Sequence, residues 1–166
     1  GSESYSSLDW AIKDEDGYTF ILGRTDDVIN VAGHRLGTRE LEEASTQCSR
    51  VAEAAVVGVP DEIKGQVPVV FATLRSQNSD ETERNDVAKE LVQIIEQRLG
   101  AIARPARIYI VPALPKTRSG KLLRRVIQAL STGANAGDMS TIEDPDSVNA
   151  IISALARGPD IGQRPQ

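Results

Sequence analysis

Two apolar runs, VAEAAVVGVP (Val51–Pro60) and VPVVFATLR (Val67–Arg75), set the strongest limit on how this chain can fold. Both are short, rich in β-branched residues and bounded by Gly, Pro and polar residues, which predicts two core strands of one sheet. The polar stretch DEIKGQ between them is a loop, and ARIYIVP (106–112) predicts a third strand.

Helical periodicity fills the intervals. In DETERNDVAKELVQIIEQRLG, Val87, Leu91, Ile94, Ile95 and Leu99 recur on one face, and Gly100 suits a C-terminal stop. Thr38 is expected to cap a helix over RELEEASTQC, ending near Ser49, with Glu40, Glu42 and Glu43 near its positive end. SGKLLRRVIQAL predicts a helix with an apolar stripe of Leu122, Leu123, Val126, Ile127 and Leu130, and DPDSVNAIISALA a shorter one through Val148, Ile151, Ile152 and Leu155. STGANAGDMST between them has linker composition, and the end RGPDIGQRPQ is expected to fray.

Upstream, Asp16-Gly17 marks a turn before a strand over Tyr18–Leu22, and DDVINVAGHR is a second strand-like run, so a hairpin joining them is expected. There is no internal repeat. The expected fold is α+β, a small three-stranded sheet flanked by helices and preceded by a β-hairpin. The expected organisation is a short N-terminal segment over 1–25, a main domain over 26–131, and a linker with an amphipathic helix over 132–166.

With 166 residues the chain can build one core, and 40% hydrophobic with 26% charged residues is ordinary for a globular protein. One cysteine, Cys48, precludes an internal disulfide framework, and with His34 as the sole histidine no Cys/His set of metal-ligand spacing exists. No apolar run approaches the roughly 20 residues of a membrane span. Gly1-Ser2 reads as a cloning scar, and the chain as an excised piece of something longer.

Against a net charge of −5, the segment PKTRSGK places Lys116, Arg118 and Lys121 together before a helix. If Ser119 caps that helix, Lys121 lies in its first turn, where the peptide dipoles already make the end positive. Such a cluster is either an anion-handling loop or a solvated basic turn. It is not a Walker loop, because the upstream glycine spacing and following Ser/Thr are missing.

GRTDDVINVAGHRLGTRELE is the second concentration of unusual residues. Gly23, Gly33 and Gly37 permit sharp turns or close ligand approach, Asp26 and Asp27 suit a solvated turn, and His34 lacks an evident catalytic partner.

These two segments, GRTDDVINVAGHRLGTRELE and LPKTRSGKLLRR, together with LDWAIKDEDGY upstream and STIEDP downstream, resemble the C-terminal domain of adenylate-forming acyl-CoA synthetases, in particular acetyl-CoA and propionyl-CoA synthetases. The resemblance implies a ligase that joins an acid to ATP, releasing diphosphate, and then passes the acyl group from AMP to coenzyme A. It implies that the small domain rotates between these half-reactions against an N-terminal adenylation domain, and that it is inactive alone.

By that resemblance Lys121 is the catalytic lysine of adenylation and Asp26 the hinge. Asp9 and Arg24 hold the nucleotide ribose, and Arg35 reaches the AMP phosphate. Ala32 and Gly33 line the coenzyme A tunnel, where the missing side chain leaves room for the thiol. ATP, coenzyme A and Mg2+ are the implied cofactors, a short-chain carboxylic acid the substrate, and a lysine acyltransferase or deacylase a further partner acting on Lys121. The implied location is cytoplasmic, or the mitochondrial matrix in a eukaryote.

Leu8 replaces the usual glycine before Asp9. Glu96 and Arg98 stand near a position where relatives can carry an arginine that touches the coenzyme A nucleotide, and neither is assigned that contact. Cys48 replaces a histidine in the turn TQCSRV, which reads as a plain helix-ending loop.

The rival from another class is a stand-alone module binding an anion or a protein, its basic segment running from Arg104 to Arg125. Overall acidity and the presence of only Tyr109 as an aromatic in that segment speak against nucleic acid. Adenylating chemistry with another acceptor is the third reading.

Overall fold

The computed structural model describes residues 9–13, 19–24 and 27–163. Strands β1 (Asp9–Lys13) and β2 (Thr19–Arg24) pair antiparallel as a two-stranded sheet. Strand β2 thus pairs backward with β1, and not forward with the DDVINVAGHR run, which folds on itself as β3 (Val28–Val31) and β4 (His34–Gly37). The reason is local: Ala32-Gly33 supplies a two-residue turn with both residues at positive φ, +49° and +85°, the geometry that matches strand twist in tight hairpins.

The three expected core strands are present as β5 (Val51–Asp61), β6 (Gly65–Leu74) and β7 (Arg107–Ile110). Strands β5 and β6 pair antiparallel along their whole length, from Val51↔Leu74 to Asp61↔Gly65. The other edge of β6 is shared: β7 runs parallel to it over Val69–Ala72, and β3 meets it at Val31↔Gly65. The β3–β4 hairpin therefore extends the core to a mixed sheet of five strands.

Both faces of this sheet are covered, which is why β5 and β6 read as continuous apolar runs and not as alternating ones. Ala54, Val56, Val70 and Ala72 face helix α1 (Thr38–Thr46) and helix α2 (Glu81–Leu99) through Leu41, Val87, Leu91 and Ile95. Ala55, Val57, Val69 and Phe71 face the other way, toward Ile127 of helix α3 (Arg124–Thr132) and Ile151 and Ala154 of helix α4 (Pro145–Arg157). Each fully buried Val or Leu contributes roughly 1.5–3 kcal/mol relative to exposure.

Helix α2 follows its sequence signals. The Asp80 side chain accepts from Glu83 N at 2.8 Å, and Gly100 closes the end. Helix α1 departs from expectation, because its N-cap is Gly37, without a side-chain cap, and the buried Thr38 donates from Oγ1 to the Asp27 carbonyl at 3.3 Å. The helix ends at Thr46, and a turn through Cys48 leads into β5.

The tail is pinned and does not fray as expected. Asp160 N donates to Ile108 O at 2.8 Å and Ile108 N to Ile161 O at 3.0 Å, covering the outer edge of β7. The Asp160 carboxylate, 4% exposed, accepts from Ile110 N at 2.7 Å and pairs with Arg84 and Arg157 at 3.3 and 3.1 Å. Residues 164–166 lie outside the described chain.

Candidate functional site

PKTRSGK is a closed turn and not the start of a helix. Helix α3 begins at Arg124 after an N-cap at Leu123, so Lys121 precedes its first turn and Ser119 does not cap it. Leu122 is instead drawn back against Lys116 in an antiparallel bridge, and Leu123 N donates to Pro115 O at 3.0 Å. Inside that bridge Thr117 N donates to Lys121 O at 2.9 Å, Gly120 N donates to Thr117 O at 2.8 Å, and Lys121 N donates to Thr117 Oγ1 at 3.1 Å. Gly120, at φ +85°, lets the chain reverse here without the strain a Cβ would bring.

The three cations of this segment have different fates. Lys116 pairs with Glu53 of β5, while Arg118 and Lys121 are exposed. Lys121 lies on the rim of a cleft of about 500 Å³ between α1, β5 and the turn. Its apolar floor includes Leu114 and Leu122, and its walls mix Arg39, Glu42 and Glu53.

Below Lys121 stands an ion cluster that the sequence reading did not single out. Arg124 donates from Nε to Glu42 Oε1 at 2.5 Å and from Nη2 to Glu42 Oε2 at 2.6 Å, a two-bond fork. Its Nη1 lies 3.4 Å from Asp27 Oδ1. Asp27 is accordingly half-buried and engaged, and not the solvated turn residue expected of it. No sequence signal pointed to it: Glu42 and Arg124 are separated by 82 residues, and they meet because α1 and α3 both pack on β5.

The coenzyme A and phosphate candidates lie elsewhere, on the β3–β4 hairpin. Asp27 and Arg39 flank its base beside the Lys121 turn, whereas Ala32 and Gly33 form its tip, about 16 Å away at roughly 3.3 Å per strand residue. Among the described residues Ala32 is the one non-glycine at positive φ, and a strained turn of this kind often marks a functional position. Ala32 N donates to Lys64 O at 2.7 Å, which braces the tip against the β5–β6 turn. A Cβ on Gly33 would meet nothing within 4 Å. Arg35 is exposed on β4, opposite Asn30, and His34 is exposed beside it.

The backbone register sets Asp9 opposite Arg24 at the open end of the β1–β2 hairpin. Asp26 lies outside the described residues. Glu96 accepts from Arg104 at 3.3 Å, and Arg98 donates to Gln47 at 3.3 Å. Among the described residues no group of three or more His, Cys, Asp or Glu side chains is arranged to hold a metal, and no helix is long and apolar enough to cross a membrane.

Comparison with known proteins agrees with this architecture. The family described as "AMP-binding enzyme C-terminal domain" matches residues 40–121. The chain is 53% identical over 155 residues to a propionate–CoA ligase of Escherichia coli, covering 91% of this chain and 24% of the relative. It is 56% identical over 146 residues to an acetyl-coenzyme A synthetase of Pyrobaculum arsenaticum, covering 88% of this chain and 21% of that one. A crystal structure of a Brucella canis acyl-CoA synthetase superposes with a TM-score of 0.57 at 36% identity, over 71% of this chain and 21% of that one. The chain thus spans about a quarter of the length of the curated relatives it matches. With the Lys121 turn and the Ala32-Gly33 tip set on one α+β body, this chain belongs to the family described as AMP-binding enzyme C-terminal domain.

Proposed function

We propose that this chain serves as the mobile C-terminal domain of an ATP-dependent short-chain acyl-CoA synthetase. The observation that carries the proposal is the exposure of Lys121 on a hydrogen-bonded turn beside the base of the β3–β4 hairpin, with Ala32 and Gly33 at its tip. Two half-reactions can then use two ends of one small body as it rotates about Asp26 against an N-terminal adenylation domain.

In the first, a carboxylate oxygen of the acid attacks the α-phosphorus of ATP and diphosphate leaves. The Lys121 ammonium stabilises the negative charge that gathers there, an effect strongest where water is excluded. Asp9 and Arg24 hold the ribose hydroxyls, and Mg2+ would accompany the nucleotide phosphates, with its ligands mainly in the N-terminal adenylation domain. In the second, the thiol of coenzyme A passes the Ala32-Gly33 tip and attacks the acyl carbon, AMP leaves with the bonding pair, and the Arg35 guanidinium holds its phosphate. The similarity to a propionate–CoA ligase favours a short-chain acid. Acylation of the exposed Lys121 amine would remove the charge and silence the first step, and a cytoplasmic or mitochondrial-matrix enzyme is the matching cellular setting.

The test is Lys121→Ala in the complete enzyme. Acid-dependent pyrophosphate exchange is expected to fall roughly 10²- to 10³-fold, while thioester formation from supplied acyl-adenylate persists. Equal loss of both activities would remove Lys121 from this role.

A further inference from the structure

Residues 139–143 run out of the stretch of linker composition, yet they are tied to the Lys121 turn. Ile142 bridges Thr117 in antiparallel register, and Glu143 N donates to Lys116 O at 2.9 Å. Two consecutive tail residues thus match two consecutive residues of the turn that carries Lys121.

The segment is anchored on its other side. Ile142 is 7% exposed and packs with Val126, Ala129, Ala136 and Val148 between α3 and α4. Its ends are fixed by side-chain turns: the Asp138 carboxylate accepts from Ser140 N at 2.9 Å, and Asp144 accepts from Asp146 N at 3.0 Å while capping α4. Arg125 Nη1 donates to Ala136 O at 2.8 Å, holding the approach.

On the turn side Thr117 gathers the contacts. It pairs with Ile142, exchanges backbone bonds with Gly120 and Lys121, and receives Lys121 N on its hydroxyl. A lysine ammonium on a four-carbon stem is placed only as well as its Cα, and a reacting centre tolerates errors of roughly half an ångström. A five-residue turn in solvent needs an external brace to meet that limit.

We propose that Ile142 is a positioning residue, through which residues 139–143 act as a strap that holds the 117–121 turn and so aims Lys121. The mechanical part stands on contacts within this chain; the chemical part rests on the function proposed above for Lys121.

Two measurements separate these parts. In the 166-residue chain, Ile142→Ser is expected to speed amide hydrogen exchange of Thr117, Gly120 and Glu143 roughly tenfold, to leave β5 and β6 amides unchanged, and to be rescued by Ile142→Leu. Unchanged exchange at Thr117 and Gly120 overturns the strap. In the complete enzyme, Ile142→Ser is expected to lower pyrophosphate exchange roughly tenfold or more without slowing thioester formation from supplied acyl-adenylate, again with rescue by Ile142→Leu. Equal loss in both half-reactions overturns the positioning role. Lys121→Ala is run alongside: if that variant keeps full pyrophosphate exchange, the role of Lys121 fails, and the exchange data alone decide the strap.

Discussion

Arg124 grips Glu42 with two nearly parallel hydrogen bonds, Nε to Oε1 at 2.5 Å and Nη2 to Oε2 at 2.6 Å. Their side chains are 14% and 12% exposed, so this is a largely dehydrated pair at the root of the Lys121 turn. Removing one partner strands the other. Arg124→Ala should therefore cost roughly 3 kcal/mol in urea unfolding of the chain. Arg124→Lys should recover less than half of that, because an ammonium cannot reproduce the fork. A loss below about 1 kcal/mol would mean the pair is solvated and worth no more than a surface bridge.

Gly33 offers a way to separate backbone strain from obstruction. Its φ of +85° disfavours any side chain, although nothing within the domain lies within 4 Å of a Cβ. Gly33→Leu should cost the isolated chain only about 1 kcal/mol in thermal unfolding. In the complete enzyme the same change should block thioester formation and leave pyrophosphate exchange largely intact; normal coenzyme A turnover would remove Gly33 from the thiol path.

Tyr109 stacks on Phe71 with ring centroids 5.0 Å apart and planes 9° from parallel. Its hydroxyl is buried without a hydrogen-bond partner among the described residues, and burial pushes its pKa above the ordinary phenol range. Tyr109→Phe keeps the stack and removes the dehydrated hydroxyl. It should raise stability by roughly 1 kcal/mol, read as a higher urea midpoint. A lower midpoint would show that the hydroxyl makes a favourable contact.

Burial pushes the Cys48 thiol above its ordinary pKa; the Arg50 backbone amide and guanidinium act against this, and the Glu90 charge adds to it. A folded pKa above the unfolded one contributes stability that is complete below the unfolded value, about 8.5, and lost as pH rises beyond it. Unfolding free energy should fall above about pH 8.5, and Cys48→Ala should flatten part of that slope. An identical slope in both proteins would exclude the thiol as its source. The native thiol should also react slowly with a disulfide reagent and rapidly in urea.

By itself the sequence determined the elements whose signals are local. The β-branched runs of β5, β6 and β7 and the periodic face from Val87 to Leu99 with Gly100 at its end each satisfy their backbone and bury their apolar side chains by short-range rules. The roles proposed for Lys121, Arg35 and Gly33 come from motif resemblance, because those residue types carry charge or backbone freedom wherever they fold.

Tertiary structure alone decided what depends on partners far along the chain. The Arg124 fork reaches across 82 residues to Glu42, and the carboxylate of Asp160 is held in place by Arg84, 76 residues away. Thr38 turned from an expected cap to a bond with the Asp27 carbonyl. Lys121 left the expected helix because the Lys116↔Leu122 bridge closes the turn first, and the chain just after the linker-like stretch was tied to that turn because Ile142 found an apolar seat between α3 and α4. Capping, bridging and strapping are choices among competing hydrogen-bond partners of similar strength, and only the packed surroundings settle which partner is within reach.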